Sequence, residues 1–156
     1  MSAPALPNIS SDLLWEIVRS NNSFLVKSKR NGGVHFSRDP LNLTNLSSRK
    51  HAGFVNEKAI GVTPKPDGTM MVISKKASAT NKPAKNFIKS TYGANKSSRK
   101  SYKDVATLAA KRNYRADLRA TAVQRVSAVR RSQRPAKPAP EPKLRGNKAK
   151  KAAESS

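Results

Sequence analysis

Large apolar side chains become scarce after Ile73 of this 156-residue chain, and Lys and Arg accumulate where they end. A core needs apolar area, and unpartnered cations repel one another, so the two halves are expected to fold by different means. Residues 1–26 hold one Arg against Asp12 and Glu16, a net of −1. Residues 27–81 hold ten basic and three acidic residues, residues 82–156 twenty-one and four, and the whole chain carries +23. The pattern predicts a small N-terminal globule followed by a cationic half that needs a polyanion. Release of counterions from nucleic acid accommodates such a surplus, whereas an acidic small-molecule substrate needs only a few positive charges.

The globule reads as α+β. Ser10 and Ser11 are candidate N-caps, and Asp12 and Glu16 suit the positive end of a helix. Leu13, Leu14, Ile17 and Val18, with Trp15 beside them, carry that helix to about Asn21. Phe24–Ser28 and Val34–Ser37 flank the turn Asn31-Gly32-Gly33 and predict a hairpin. Ala59–Thr63 and Thr69–Ser74 flank Pro64-Lys65-Pro66-Asp67-Gly68 and predict a second. Between them, Arg38–Asn56 reads as an ordered loop pinned by Leu41, Leu43, Leu46 and Phe54. The expected fold is a small antiparallel sheet of about four strands with an N-terminal helix, followed by two basic C-terminal helices and a disordered tail.

The division that follows is an arm (1–9), the globule (10–76), an extended basic linker (77–100), a basic helical segment (101–134) and a disordered basic tail (135–156). Ser101–Asp104 resembles a capping box, with Val105, Leu108 and Ala109 at helical spacing to about Arg112. Asn113-Tyr114 interrupts. Arg115–Arg131 fits a second helix whose Leu118, Ala122, Val126 and Val129 fall within a stripe of about 80°. Arg119, Arg125, Arg130 and Arg131 surround much of that helix, and Asp117 is the one acid nearby, which suits a helix laid into a groove between RNA segments. With so few large apolar residues, the C-terminal helices are expected to be poorly ordered without RNA, whereas the Phe24–Ile73 hairpins, of marginal stability, keep protected amides. Pro, Lys, Ala and Glu dominate from Pro135 onward.

Chemistry finds little support. The absence of Cys removes disulfides, thiolate zinc sites and cysteine nucleophiles, and favours an intracellular address. No signal peptide and no apolar run of membrane length is apparent. The Asn-x-Ser/Thr triplets at Asn8, Asn21, Asn42, Asn45 and Asn95 are then chance matches. His35 and His51 have no metal-ligand spacing, Asp12 and Glu16 complement a helix dipole, and Asn31-Gly32-Gly33 lacks the glycine pattern of a phosphate loop. Tyr102 and Tyr114 are expected to pack the C-terminal helices. For Phe87, between Lys85 and Lys89, and for Tyr92, stacking on bases and packing both remain open. Lys148-Ala149-Lys150-Lys151, with Arg145 nearby, fits a nuclear import signal and equally any basic tail.

Three separated blocks carry a resemblance. Ser11–Arg19 with Asn22–Lys27, then Asn42-Leu43 through Ser47-Ser48 to Gly53-Phe54 and Lys58–Val62, then Asn113–Arg119 with Ser127–Val129 and Ser132–Pro135, together resemble the family of large-subunit ribosomal protein twenty-eight, eukaryote type. The family often has Pro at position 116, where Ala116 still allows a helix to start. An assembly-factor family with a related domain usually bears cysteines here and a long acidic extension, and this chain has neither. The resemblance covers about residues 10–135. It implies a structural constituent of the cytosolic large ribosomal subunit, with nuclear and nucleolar passage during assembly. The implied partners are large-subunit ribosomal RNA and neighbouring ribosomal proteins; no catalytic residue, cofactor, membrane or small-molecule substrate is implied.

Candidate RNA contacts are Lys27, Lys29, Arg30, Arg49, Lys50, Lys85, Lys89, Arg99, Lys100, Arg112, Arg115, Arg119, Arg125, Arg130, Arg131 and Arg134. The competing class is a histone-like chromatin protein, supported by the Lys/Ala/Pro tail and opposed by the organised α+β half. A cationic membrane-surface protein would need a broader apolar helix face.

Overall fold

In a computed structural model, which describes residues 9–30, 32–79, 82–140, 143 and 145–154, Ser10 accepts a hydrogen bond from the Leu13 N–H at 3.1 Å and caps helix α1 (Ser11–Val18). The helix ends three residues earlier than its apolar pattern predicts. Asn22 explains the stop: its side chain donates to the Val18 carbonyl and accepts from the Phe24 N–H, which turns the chain into strand β1 (Leu25–Lys27). β1 pairs antiparallel with β2 (His35–Ser37), Val26 opposite Phe36. The expected hairpin is present; Asn31, in its turn, and residues 1–8 of the arm lie outside the described residues.

The loop after β2 is ordered by side-chain hydrogen bonds as much as by its leucines. Asp39 accepts from the Leu41 N–H at 2.9 Å and from the Phe54 N–H at 3.1 Å, which ties the loop's two ends together. Asn42 accepts from the Thr44 and Asn45 N–H groups and donates to the Leu46 carbonyl. Leu41 and Leu43 are buried as expected, whereas Leu46 is 42% exposed. Trp15 of α1 packs on Ala52 and Val55 of this loop.

The second hairpin is β3 (Ile60–Pro64) with β4 (Met70–Lys75), Val62 opposite Val72, and Gly68 takes a φ of +67° in its turn. Gly61 permits a close approach of the loop: a Cβ there would lie 2.2 Å from the Pro40 carbonyl oxygen. The strands form two sheets, β1-β2 and β3-β4-β5, rather than one of four. The fifth strand, β5 (Phe87–Tyr92), lies inside the segment expected to be an extended linker and pairs with β4 along its whole length. Its side chains are mostly exposed, so no alternation of burial marks it. Lys75 straps this sheet to the loop. Its ammonium donates to the Gly53, Phe54 and Asn56 carbonyls, and burial pushes its pKa below the lysine value, with Asp39 and Glu57 acting in the opposite sense. Lys75→Met would leave three carbonyls unpaired and is expected to cost about 1–3 kcal/mol, read as a lower urea midpoint.

The C-terminal helices pack on this sheet. α2 (Ser98–Ala110) begins one turn before the capping-box position, so Ser101 is helical and Asp104 pairs with Lys96 instead. Asn113, at φ +50°, breaks the chain where Asn113-Tyr114 was expected to. A short 3-10 turn, Ala116–Leu118, then leads into α3 (Arg119–Ser132). Ile60, Val62, Met70 and Val72 form one cluster with Val105, Ala109, Leu118, Ala122, Val126 and Val129. The predicted α3 stripe is therefore buried, and the main core draws on both sides of the charge boundary. Tyr102 and Tyr114 pack against it as expected, with the Tyr114 hydroxyl accepting from the Lys75 N–H at 3.1 Å. Beyond Pro135 the chain lacks regular structure through Pro140, as expected of the tail, but residues Asn147–Glu154 differ and form helix α4. Ala, Lys and Glu are strong helix formers, and that outweighs the tail's low apolar content. The architecture is α+β.

Candidate nucleic-acid interface

Arg130 organises a cationic site although it is itself out of reach. It is 7% exposed, and its guanidinium donates to the Gly93 and Ala94 carbonyls at 2.9 and 3.3 Å and to the Ser101 hydroxyl at 3.4 Å. These bonds hold the C-terminal end of α3 against the β5–α2 connection and the start of α2. Gln133 adds a bond to the Thr69 carbonyl at 2.8 Å. Arg131 and Arg134, exposed at the end of α3, thus share one end of the helix pair with exposed Arg99 and Lys100 in the first turn of α2.

The electrostatics of that end are lopsided. Two cations at the N-terminus of α2 oppose its macrodipole, no acid occupies the first turn, and the N-cap Ser97 makes no side-chain cap bond. Repulsion of this kind is relieved by an anion, which meets the free N–H groups, the positive end of the dipole and the side chains together. Among the described residues four ion pairs occur: Arg19–Glu16, Arg49–Asp12, Lys96–Asp104 and Arg115–Asp117. Most of the positive charge is not neutralised within the chain.

The other candidate residues separate into outward and inward groups. Lys27, Lys29 and Arg30 are exposed along and after β1; Lys50 is exposed on the loop; Lys85 and Lys89 are exposed before and within β5; Arg119 is exposed at the start of α3. The Arg112 side chain lies outside the described residues. Arg49 and Arg115, by contrast, are engaged inside the protein. Arg49 donates to Asp12 and Ser11, both at 2.8 Å, and clamps α1 to the loop. Arg115 makes a bidentate pair with Asp117 and also donates to the Lys58 and Lys50 carbonyls at 2.9 and 3.0 Å. Those hydrogen bonds hold the Asp117 carboxyl below its ordinary pKa. Arg125 lies half-buried along α3 with its Nε 3.5 Å from the Val62 carbonyl. Cations therefore do not surround α3 as its sequence implies, because the fold consumes two of the arginines in and before it.

Sequence reasoning missed a second basic group. A cleft of about 790 Å³ between β5 and α2 is lined by Lys58, Lys103 and Lys111 with Ser90, Tyr92 and Thr107. Lys103, Thr107 and Lys111 recur at four-residue intervals, which was the available signal. Tyr92 lies under the Lys96 ammonium, 4.4 Å from the ring centre, and packs on the core, which resolves its role toward packing. His51 is half-buried, and desolvation, then the charges of Lys50 and Arg115, lower its pKa, so it does not add a cation at neutral pH. Among the described residues no helix is long and apolar enough to cross a membrane, and no cluster of three potential metal ligands occurs.

Comparison with known proteins agrees with the resemblance. Residues 13–132 match the model of the Ribosomal L28e protein family. Large ribosomal subunit protein eL28 of Schizosaccharomyces pombe is 40% identical over 131 residues, covering 83% of this chain and 97% of its own. The Dictyostelium discoideum protein of the same name is 34% identical over 139 residues, covering 89% of this chain and all of its own. That of Trypanosoma cruzi is 41% identical over 85 residues, 54% of this chain and 56% of its own. The α+β body with its basic helix pair, and matches that run through both, place the chain in one lineage: it belongs to the ribosomal L28e protein family of the large ribosomal subunit.

Proposed function

We propose that this protein is a structural constituent of the cytosolic large ribosomal subunit that holds ribosomal RNA through its exposed cations, foremost Arg99, Lys100, Arg131 and Arg134. The observation that carries the reading is their convergence at one end of the helix pair, at the uncapped N-terminus of α2. Arg119, Lys85, Lys89, Lys50 and the hairpin group Lys27, Lys29 and Arg30 extend the contact over other faces. Arg49, Arg115 and Arg130 serve it indirectly, by fixing the backbone from which the outward cations project. Neighbouring ribosomal proteins are the second class of partner, and import through the nucleus uses the basic cluster at Lys148–Lys151. The surface fits folded RNA better than duplex DNA, because the cations lie on several faces rather than in one stripe.

The test compares three variants expressed in cells, by the fraction that co-sediments with large subunits after a salt wash. Changing Arg99, Lys100, Arg131 and Arg134 together to Gln is expected to reduce retention sharply while leaving thermal stability of the free protein nearly unchanged. Deleting everything after Pro135 is expected to cost less retention. Arg130→Gln is expected to lower stability by about 2 kcal/mol, because it strips partners from buried carbonyls. Full retention of the four-Gln variant, with loss on deleting the tail, would overturn the assignment of the grip to the helix pair.

A further inference from the structure

The sheet β3-β4-β5 has a second face, turned away from α2 and α3. Alternation along the strands places Ile73 and Lys75 of β4 there, paired with Lys89 and Phe87 of β5. The loop lies against part of this face, with Leu41 packed on Ile73. Between loop and strand edge is a cavity of about 470 Å³ whose walls include Phe24, Phe54, Phe87 and Asn86.

Three features of this cavity belong together. Its walls are aromatic: the Phe24 and Phe54 rings lie 5.5 Å apart at 44°, and Phe87 stands on the rim, 41% exposed. Of its polar groups, Asp39 is committed to the Leu41 and Phe54 N–H groups, whereas Asn86 is 6% exposed and its side-chain oxygen has no hydrogen-bond partner. Its rim is cationic, since Lys89 is exposed on the same face and Lys85 is exposed beside Asn86. Lys75 is not available to a ligand, because its ammonium is already bound to three carbonyls.

An apolar protein side chain would satisfy the rings, but it would leave the amide unpaired and the lysines without counter-charge. A nucleobase satisfies all three. Its flat face stacks on phenyl rings, a base N–H can meet the amide oxygen once the Asn86 side chain, closed to solvent in the free protein, turns toward the cavity, and its own phosphates meet the lysines. We propose that this cavity receives one unstacked nucleobase of the bound RNA. The proposal rests on the RNA-binding reading above and assigns to Phe87 the stacking role that its sequence neighbours left open.

Two probes separate base from backbone. A uridine decamer and an abasic ribose-phosphate decamer carry the same phosphates, and binding of the full chain to each is read by fluorescence anisotropy at one salt concentration. The uridine decamer is expected to bind roughly tenfold more tightly. Phe87→Ala should remove most of that advantage without changing affinity for the abasic decamer, and Phe87→Trp should keep it. An advantage that survives Phe87→Ala would overturn the proposal while leaving RNA binding intact. Failure of both decamers to bind would instead overturn the RNA-binding reading, and the cavity assignment with it. In assembled large subunits, a photo-crosslinking phenylalanine analogue at position 87 should capture RNA. Capture of a neighbouring protein in place of RNA would overturn the assignment.

Discussion

Affinity of the full chain for naked large-subunit RNA is expected to fall by about three to five decades between roughly 50 and 200 mM salt, as for a protein that neutralises about 6–10 phosphates. The outward groups supply that number. Arg99, Lys100, Arg131 and Arg134 form one set, the Lys27–Arg30 hairpin group a second, and Lys85, Lys89 and Arg119 a third, all exposed. The inward arginines do not count toward it, because their guanidinium groups are committed to carboxylates, hydroxyls and carbonyls of the same chain. Replacing the first set by Gln should therefore lower the slope of log affinity against log salt by up to about four, one contact's worth for each charge. Replacing Arg115, in contrast, should leave the slope near its original value and act on stability. A titration that is almost flat, or a slope as sensitive to Arg115 as to Arg131, would contradict this division.

The division could not be read from the sequence. An arginine among arginines looks the same whether it faces solvent or a carbonyl, and the acceptors for Arg130 lie at Gly93 and Ala94, far away along the chain. Periodic features were legible. The Leu118–Ala122–Val126–Val129 stripe, the Pro64–Gly68 turn and the α1 cap at Ser10 are local patterns, and each is present. β5 was hidden for a physical reason. As an edge strand with little burial, Phe87–Tyr92 needs no alternation of polar and apolar residues, and its pairing comes from β4. The resemblance supplied what periodicity could not, namely the ribosomal assignment, but it carried no contact residues.

The expectation that the C-terminal helices order only on RNA meets a different fate, because the core argues against it. Val105, Ala109, Ala122 and Val126 are fully buried, and they share one cluster with Ile60, Val62, Met70 and Val72 of the sheet. Small side chains suffice there because Ala and Val let helix and sheet approach closely, so a low count of large apolar residues understated the burial. Tyr114 and Arg115 add hydrogen bonds from the segment between the helices to β4 and, at the Lys50 carbonyl, to the loop. In the RNA-free protein, amides of α2 and α3 are therefore expected to exchange as slowly as those of β3 and β4. Leu118→Ala tests the coupling where the chain enters α3. Leu118 is 3% exposed, and its truncation is expected to cost about 3 kcal/mol, lowering Tm by about 6–12 °C for a chain of this length. Helix and sheet amides should lose protection together in that variant, since the cavity opens in a core they share. If α3 exchanges freely in the unaltered protein while β3 and β4 stay protected, the helices are docked by RNA and the shared core does not hold them alone.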